Sequence, residues 1–251
     1  MKTALITGAA SGIGRHLAIT LSKQQYNLLL VDLNLEQAQQ VAKDITQLGG
    51  QAQAFSLNIA DKQAIASFVA EHNYIDVLIN NAGVQHVEAL ESYPEDKWQL
   101  LQDVMLTGPA MLCKAVLPQM RRAGSGRIVN IGSIHALVAS KYKSAYVAAK
   151  HGLMGFGKVL ALETADADIT VNTVCPAYVK TPLVEQQIAA QAKQHGISED
   201  EVVNNIMLAP MPKKAFIGLD EIAHAVQFLL ANEARNITGQ AIVLDGGWTV
   251  Q

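Results

Sequence analysis

The sequence predicts an α/β protein with a doubly wound parallel sheet of about seven strands and helices on both faces. Two observations support this prediction. Short apolar runs alternate with longer amphipathic segments from one end of the chain to the other. A glycine-rich turn also joins the first apolar run to the amphipathic segment that follows it. Apolar strands that alternate with helices are typical of a parallel sheet covered on both faces, whose connections are right-handed crossovers.

The apolar runs place the predicted strands over residues 3–7, 27–31, 52–57, 77–80, 127–131, 170–174 and 241–244. Apolar residues at helical spacing predict helices between them, among others over residues 17–23, 35–48 and 62–70. The segment 181–216 departs from this alternation, and its residues 185–195 are polar with a helical pattern. We therefore predict one domain over residues 1–251, with 181–216 as a helical flap over the edge of the sheet.

Composition and charge restrict the class of protein. The 251 residues are 50% hydrophobic and 16% charged, with a net charge of −3. A chain of this length buries roughly three-quarters of its surface, so it needs no disulfide or structural metal. Cys113 and Cys175 lack the spacing of a metal site, and we expect both to be free thiols. The mild acidity gives no reason to expect nucleic acid or an anionic membrane as a partner.

The apolar runs are also short. Residues 1–6 are too few for the apolar region of a signal peptide before a glycine interrupts them. The run 28–31 is far below the ~20 residues that a membrane span requires. We therefore expect a cytoplasmic protein.

A glycine-rich turn follows the first predicted strand. Gly8, Gly12 and Gly14 stand where a turn must tighten, approach a pyrophosphate closely and pack against the next helix. That helix directs free N–H groups and a partial positive charge at the same point. Such a turn alone can be purely structural, but its position between a strand and a helix predicts a dinucleotide site. The predicted phosphate-binding residues are Gly8, Ser11, Gly12, Ile13 and Gly14.

An acidic residue ends the second predicted strand. The carboxylate of Asp32 can accept hydrogen bonds from both hydroxyls of the adenosine ribose. It would repel a 2′-phosphate, and neither Ser11 nor Leu33 supplies a compensating cation. The sequence therefore predicts NAD rather than NADP as the cofactor. The alternative interpretation is that Asp32 is only a solvated residue at the end of a strand.

A tyrosine and a lysine are spaced to share one face of a helix. Tyr146 and Lys150 are four residues apart, so in a helix they lie one turn from each other. A free phenol has a pKa near 10 and is a poor base at neutral pH, but a nearby cation favours the phenolate. Shifting the pKa of Tyr146 towards neutrality requires roughly 3–4 kcal/mol of stabilisation of the phenolate, which the Lys150 charge and an oxidised nicotinamide would have to supply together. Ser133, just past the fifth predicted strand, can donate a hydrogen bond to the same substrate oxygen, although a Tyr/Lys pair alone also occurs by chance.

Taken together, these motifs resemble the short-chain dehydrogenase/reductase family. The shared residues are the turn 7–14, Asn80-Asn81-Ala82-Gly83, Ser133, Tyr146-x-x-x-Lys150, Pro176, Thr181-Pro182 and Asp245-Gly246-Gly247. The resemblance covers essentially the whole chain. It implies a Rossmann-type single domain, a nicotinamide cofactor, a homotetramer and catalysis by Ser133, Tyr146 and Lys150. The cofactor contacts that it implies beyond the turn are Asp32, Leu33, Asn58, Ile59, Asn81, Ala82, Gly83, Tyr146, Lys150, Pro176, Val179 and Thr181.

Finer features resemble the members of this family that use NAD to oxidise D-3-hydroxybutyrate to acetoacetate. The matching stretches are residues 81–86, 133–140, 143–152, 181–188 and 245–249. The resemblance implies a site for the substrate carboxylate, made by Gln85, His135, Lys143 and Gln187. Ser133, Tyr146, Tyr178 and Trp248 are the other substrate contacts that it implies, with Trp248 as a wall of the pocket.

The chemistry agrees with this likeness. A small hydroxy acid has one anionic end, and a lysine three residues before Tyr146 can place a cation beside the reacting centre. Without the resemblance, Lys143 would be interpreted as a solvated lysine and His135 as an ordinary loop histidine.

Met105 departs from the family pattern. It stands where the family usually has an asparagine, which is thought to hold a water that relays protons to the lysine. A thioether cannot both donate and accept hydrogen bonds as an amide does. Met105 therefore leaves a catalytically impaired NAD-binding protein open as an alternative. A related short-chain reductase that acts on another hydroxy acid or an oxoacyl substrate is the other alternative. Tyr178 stands where the family often has an indole beside the substrate, and Ala177 replaces a glycine. Asn58 in place of an aspartate is a mild change, because an amide can still accept and donate hydrogen bonds.

Overall fold

The computed structural model of the protein describes residues 1–72 and 74–250. At its centre is one parallel sheet of seven strands, in the order β3-β2-β1-β4-β5-β6-β7. The strands are β1 (Thr3–Thr7), β2 (Asn27–Asp32), β3 (Gln51–Ser56), β4 (Val77–Asn80), β5 (Ser125–Ile131), β6 (Asp168–Pro176) and β7 (Ala241–Leu244). This architecture confirms the predicted doubly wound parallel sheet, and each predicted strand overlaps an observed one.

Helices cover both faces of the sheet. They are α1 (Gly12–Ser22), α2 (Leu35–Gln47), α3 (Lys62–Ala70), α4 (Glu95–Gln102), α5 (Gly108–Ala123), α6 (Ser144–Glu163), α7 (Pro182–His195), α8 (Glu199–Val202) and α9 (Leu219–Leu230). The core on one face includes residues of α1, α2 and α9, and the core on the other face includes residues of α3 to α6. The first helix begins earlier than the predicted 17–23, because the end of the glycine turn is already helical.

The register of the sheet explains why most strand sequences are apolar. Ile6 of β1 lies opposite Leu30 of β2 on one side and Ile79 of β4 on the other. All three side chains are fully buried, because helices cover both faces at the centre of the sheet. β3 forms an edge of the sheet, and its residues alternate between exposed and half-buried over most of its length.

A change of direction in the strand order creates a crevice. The chain passes from β1 to β2 on one side, whereas β4 pairs with β1 on the other side. In open α/β sheets the ligand site lies at such a reversal, outside the carboxyl ends of the strands. The turn after Thr7 and the loop after Asn80 meet at this point, so the glycine motif and the Asn-Asn-Ala-Gly motif share one crevice.

One long helical run meets the length and composition of a membrane span. It extends over Glu95–Ala123 and combines α4, a π-helical turn (Asp103–Thr107) and α5. Within α5, Leu112, Val116 and Met120 are fully buried in the core. In this fold the run therefore packs as a core helix. The sequence analysis considered only shorter apolar runs and did not identify it.

The predicted flap is helical, as expected. The segment 181–216 contains α7, α8 and a π-helical turn (Val203–Met207). Ile188, Val202 and Met207 form a small core of their own beneath these helices. A bridge between Val179 and Ile217 ties both ends of the segment to one place beside the sheet. The segment therefore begins and ends beside the sheet, and its first residues, 181–184, line the crevice.

Candidate active site

The crevice contains a cavity of about 360 Å³. It brings together nearly all of the predicted cofactor contacts, whose binding roles stay predictions. Those that line it are Gly8, Ser11, Gly12, Ile13, Asp32, Leu33, Asn58, Ile59, Asn81, Ala82, Gly83, Tyr146, Lys150, Pro176, Val179 and Thr181. Sequence reasoning missed several apolar lining residues, including Val31, Leu57 and Ile131. They belong to no motif, and only their place at a strand end could have indicated them.

The glycine turn has the backbone that the motif requires. Gly8 and Gly12 have φ angles of +65° and +52°, in the left-handed region that side chains disfavour. A Cβ atom on Gly8 would stand 2.8 Å from the Cα atom of Ala82. Gly14 packs against the turn itself: a Cβ atom added to it would stand only 2.1 Å from the carbonyl oxygen of Gly8. Gly14 therefore allows α1 to pack against the turn and does not itself line the cavity.

Hydrogen bonds from the loop after β4 hold this turn in place. The Asn81 side-chain amide donates to the carbonyl oxygens of Thr7 (2.9 Å) and Gly8 (3.1 Å). In return, Thr7 Oγ1 accepts from the backbone N–H groups of Asn81 (3.0 Å) and Ala82 (3.1 Å). The Asn-Asn-Ala-Gly motif therefore braces the phosphate turn in addition to lining the cavity.

The environment of Asp32 is that of a carboxylate held in a fixed orientation. Its Oδ2 accepts from the backbone N–H of Ala10 and its Oδ1 from that of Asn34, each at 3.0 Å. Each oxygen keeps lone pairs for further donors such as ribose hydroxyls. Among the described residues that line the cavity, Lys150 is the only one with a cationic side chain, and nearby Arg15 pairs with Asp44 at 3.7 Å.

Helix α6 brings Tyr146 and Lys150 to the inner end of the cavity. The Lys150 ammonium lies 5.8 Å from the centre of the Tyr146 ring and donates to the carbonyl oxygen of Ile131 at 2.8 Å. The hydroxyl of Ser133, two residues after β5, lies close enough to the Tyr146 hydroxyl to lower its pKa. The three predicted catalytic residues therefore form one cluster on two adjacent elements.

The pKa of Tyr146 differs from the sequence-based expectation. Burial raises the pKa of this phenol above 10, and the hydrogen bond from Ser133 only partly opposes that effect. Burial also lowers the pKa of Lys150 to about 8. The protein groups alone therefore do not acidify the phenol, because desolvation outweighs the effect of Ser133 and the Lys150 charge is not among the groups that shift this pKa. A further positive charge close to the phenol is needed to favour the phenolate.

A second, smaller cavity of about 70 Å³ adjoins this cluster. It is lined by residues from the loop after β4, the segment after β5, α6, the end of β6 and the flap. They are Gln85, Ser133, Ile134, His135, Lys143, Tyr146, Ala177, Tyr178, Leu183, Val184 and Gln187. The structure thus brings all four predicted carboxylate-binding residues to one place.

Lys143 is buried in this cavity and lacks an anionic neighbour there. Only 5% of the residue is exposed, and burial lowers the pKa of its amine to about 8. Its ammonium donates to the Tyr178 hydroxyl at 3.3 Å and lies 5.1 Å from the centre of the same ring. Among the described residues that line the cavity, none is an aspartate or a glutamate. A buried cation without a counter-ion is costly, so the cavity is electrostatically prepared for an anion.

The backbone beside Lys143 is unusual and explains how the lysine is placed. Tyr142 has a φ angle of +66°, a left-handed conformation that costs of order 1–3 kcal/mol for such a residue. Its carbonyl oxygen accepts from the N–H of Glu88 at 2.9 Å. This bond ties the loop that carries Lys143 to the loop that carries Gln85.

His135 lies at the centre of an aromatic group. Its ring makes edge contacts with Tyr146 (5.9 Å), Tyr178 (6.5 Å) and Trp248 (5.9 Å between centres). Trp248 stacks on Tyr178 at 6.1 Å and is not among the described lining residues. The tryptophan predicted as a wall of the pocket therefore supports Tyr178 and His135 from behind. Burial and the Lys143 charge lower the pKa of His135 to about 3, so the imidazole is neutral.

Met105 is fully buried and lines the larger cavity. Its sulfur would lie 3.6 Å from a Cβ atom on Gly83, so the thioether sits beside the Asn-Asn-Ala-Gly loop. It belongs to the π-helical turn between α4 and α5. The structure therefore places an apolar side chain at this position of the cleft, as the sequence comparison with the family pattern indicated.

Comparison with known proteins agrees with the fold and the site. The family model described as short chain dehydrogenase matches residues 2–192. D-beta-hydroxybutyrate dehydrogenase of Rhizobium meliloti (strain 1021) is 42% identical over 256 residues, which cover 100% of this chain and 99% of that protein. D-beta-hydroxybutyrate dehydrogenase of Cupriavidus necator is 38% identical over 258 residues, with 100% and 98% covered.

A solved structure is similar over nearly the whole fold. Actinorhodin polyketide ketoreductase with NADPH superimposes with a TM-score of 0.93 at 32% identity, covering 98% of this chain and 97% of that one. The fold and the cleft define a Rossmann-like oxidoreductase that uses a nicotinamide cofactor. The chain belongs to the short-chain dehydrogenase family.

Proposed function

We propose that this protein catalyses the reversible, NAD-dependent oxidation of D-3-hydroxybutyrate to acetoacetate. The observation that carries the proposal is the buried Lys143 ammonium, in a cavity of about 70 Å³ that adjoins Tyr146. A volume of this size suits a substrate of a few heavy atoms, and the unpaired cation requires an anionic group on it. Relatives named as D-beta-hydroxybutyrate dehydrogenases, at 42% and 38% identity, support the choice of acid.

The residues of the larger cavity fit a dinucleotide. The turn from Gly8 and the first N–H groups of α1 would hold the pyrophosphate, with Asp32 at the ribose of the adenosine. The nicotinamide would lie near Tyr146 and Lys150, where the two cavities meet. Bound there, the oxidised nicotinamide would supply the hydride acceptor for carbon 3 of the hydroxy acid and the positive charge beside the phenol that the protein groups alone do not provide.

Asp32 supports NAD over NADP. Both carboxylate oxygens face donors, and the described lining of the adenosine end offers no cation to a 2′-phosphate. The ketoreductase of similar structure is described with NADPH, so the family includes both choices of cofactor. A direct comparison of NAD and NADP as oxidants tests this part: we expect NAD to be preferred, and a preference for NADP contradicts it.

Three side chains perform the proton chemistry in this proposal. Tyr146, in its phenolate form, removes the proton of the substrate hydroxyl. Ser133 donates a hydrogen bond to the Tyr146 oxygen or to the substrate oxygen beside it. Lys150 stabilises the phenolate with its positive charge, and general base catalysis of this kind contributes about 10²–10⁴-fold. Holding the substrate against the hydride acceptor supplies much of the remaining rate enhancement.

The carboxylate of the substrate is held by the other residues of the smaller cavity. Lys143 pairs with it, the side-chain amides of Gln85 and Gln187 offer hydrogen-bond donors around it, and His135 lines the same cavity. Leu183 and Val184, at the start of α7 in the flap, line both cavities, so closure of the flap would exclude water from the reacting atoms. We extend the proposal to a cytoplasmic homotetramer with no nucleic-acid or membrane partner, by analogy with the family.

The proposal is tested by the formation of NADH across a panel of alcohols. The panel contains both enantiomers of 3-hydroxybutyrate, a longer 3-hydroxy acid and an uncharged secondary alcohol, and the reverse reaction is assayed with acetoacetate and with a 3-oxoacyl thioester. We expect D-3-hydroxybutyrate and acetoacetate to give the highest kcat/KM. Faster reduction of the thioester would instead assign the protein to the oxoacyl reductases, and no turnover of any substrate would indicate an impaired enzyme. The Tyr146→Phe protein, purified in parallel, controls for contaminating dehydrogenases.

A further inference from the structure

A chain of hydrogen bonds extends from the catalytic cluster to a serine outside both cavities. The Oγ atom of Ser140 lies 2.8 Å from His135 Nε2, and His135 Nδ1 lies 3.4 Å from the Oγ atom of Ser133. The Ser133 hydroxyl in turn lies close enough to the Tyr146 hydroxyl to lower its pKa. Ser140 belongs to the loop before α6 and is not among the described lining residues of either cavity.

The two nitrogens of His135 must have opposite roles in this chain. Because burial and Lys143 keep the imidazole neutral, one nitrogen carries a hydrogen and the other is an acceptor. Only 3% of the residue is exposed, and the rings of Tyr146, Tyr178 and Trp248 surround it. The ring orientation is therefore fixed by packing, and the position of the hydrogen decides what each nitrogen offers.

A bare Nδ1 would work against the chemistry of the site. The hydroxyl of Ser133 would then donate to Nδ1 and turn its hydrogen away from Tyr146. This effect weakens the site.

A hydrogen on Nδ1 has the opposite consequences. Ser133 Oγ then accepts from Nδ1–H as well as from the backbone N–H of His135, which lies 3.1 Å away. With these acceptor positions filled, the hydroxyl hydrogen of Ser133 is left to donate to Tyr146 or to the substrate oxygen. This arrangement requires that Nε2 accept a hydrogen bond, and the group positioned to donate it is the Ser140 hydroxyl.

We propose that Ser140 is a positioning residue whose hydroxyl donates to His135 Nε2, holds the hydrogen of the imidazole on Nδ1 and so directs the Ser133 hydroxyl to Tyr146. No net charge changes in this step, because the two neutral tautomers differ only in which nitrogen carries the hydrogen: the N–H bond at Nδ1 replaces the one at Nε2. The catalytic roles of Ser133 and Tyr146 rest on the proposed function, whereas the tautomer of His135 can be measured without turnover.

The direct test is ¹⁵N NMR of the imidazole nitrogens in labelled protein without substrate. Their shifts distinguish a nitrogen that carries a hydrogen from one that is an acceptor, and loss of signals in His135→Gln assigns the ring. We expect the hydrogen of His135 on Nδ1 in the wild-type protein and in Ser140→Thr. In Ser140→Ala, we expect the population to shift towards the tautomer with the hydrogen on Nε2.

Kinetics give a second readout that a merely structural role would not produce. We expect Ser140→Ala to lower kcat/KM for the hydroxy acid by a few-fold to about tenfold, which is the scale of one hydrogen bond. The KM for NAD is expected to stay unchanged, and Ser140→Thr is expected to restore the wild-type values.

The two readouts separate failure of this inference from failure of the proposed function. A hydrogen on Nε2 in the wild-type protein, or an unchanged tautomer in Ser140→Ala, would overturn the role of Ser140 whatever the substrate is. The expected tautomers in a protein that does not oxidise hydroxy acids would support the role of Ser140 in orienting Ser133 and contradict the proposed substrate.

Discussion

The dinucleotide cleft and the substrate cavity meet at Ser133 and Tyr146, but they are built in different ways. The phosphate end of the cleft is made mainly of backbone: two left-handed glycines, the first turn of α1 and the amides of the loop after β4. The substrate cavity is made of side chains that come from separate segments and converge on one buried ammonium. Backbone geometry forms the first site, and placement of individual side chains forms the second.

This difference predicts different responses to substitution. A change in the glycine turn disturbs the contact between α1, β1 and β4, so it affects folding and cofactor binding together. A change in the substrate cavity removes one donor or one charge and leaves the scaffold in place. Variants in the cavity are therefore expected to alter single kinetic constants.

The largest effect is expected at Gly14. In Gly14→Val the new Cβ atom meets a backbone oxygen at 2.1 Å, and backbone cannot move aside as a flexible side chain can. We expect a loss of at least about 3 kcal/mol of unfolding free energy, with loss of NAD binding. Urea denaturation and a fluorescence titration with NADH measure both quantities.

Gly157→Ala is the matched control for this prediction. A Cβ atom there meets nothing closer than 3.5 Å, so the alanine fits inside α6. We expect its unfolding free energy to stay within about 1 kcal/mol of the wild-type value, because alanine also favours the helix. Similar losses in both variants would contradict the packing role assigned to Gly14.

Removal of the phenol is expected to have the second largest effect. Tyr146→Phe keeps the ring that packs against His135 but cannot remove a proton, so kcat should fall by about 10²–10⁴-fold. NADH titration should give a nearly unchanged Kd, because the dinucleotide contacts are mainly elsewhere. Turnover at a rate near that of the wild-type enzyme would remove Tyr146 from the role of general base.

The pH dependence of KM separates the two lysines. The pKa of Lys143 is lowered to about 8, so the amine is charged below that pH and loses its charge as the pH rises through it. The KM for 3-hydroxybutyrate should therefore be lowest below pH 8 and rise by about tenfold per pH unit well above it. The pKa of Lys150 also lies at about 8, but its charge acts on the phenol and not on the carboxylate.

An uncharged secondary alcohol provides the control, since it shares the effect of Lys150 but not that of Lys143. Its KM should show no comparable rise above pH 8. Parallel profiles for the acid and the alcohol would mean that the rise does not report on Lys143.

The smallest effect is expected at Met105, which belongs to the dinucleotide side of the comparison. The apolar thioether is expected to interrupt the proton relay at Lys150. Met105→Asn should then raise the rate of proton transfer by a few-fold and reduce the solvent deuterium isotope effect on kcat. Met105→Leu keeps an apolar side chain of similar size and should match the wild-type protein. An isotope effect that is equal in all three proteins would show that the proton leaves by another route.

Sequence reasoning predicted the backbone-built half well. The apolar runs located all seven strands, because strands buried on both faces must be apolar and their turns must lie between. Residues such as Gly8, Asp32 and Asn81 then fall at strand ends, and the topology alone brings them to one crevice. The apolar pattern placed the first helix only over 17–23, because the glycine motif has no apolar periodicity, although the motif itself indicated that a helix begins at the turn.

The side-chain-built half could be predicted only through the resemblance to a family. The sequence does not show that Lys143 lacks an acidic neighbour, since that depends on residues distant along the chain. The direction of the Tyr146 pKa depends on burial, and the position of Trp248 behind Tyr178 depends on how two rings pack. Ser140 belongs to no motif of catalysis, and only its distance to His135 reveals it.

The central claim is that the buried Lys143 ammonium recognises the carboxylate of the substrate. It is tested most directly by comparing D-3-hydroxybutyrate with its uncharged amide in the wild-type protein and in Lys143→Met, which keeps the length of the side chain without its charge. We predict that wild-type kcat/KM favours the acid by about 10–100-fold and that Lys143→Met abolishes this preference. If the variant lowers kcat/KM equally for acid and amide, the lysine does not bind the carboxylate and the assignment of the cavity is contradicted.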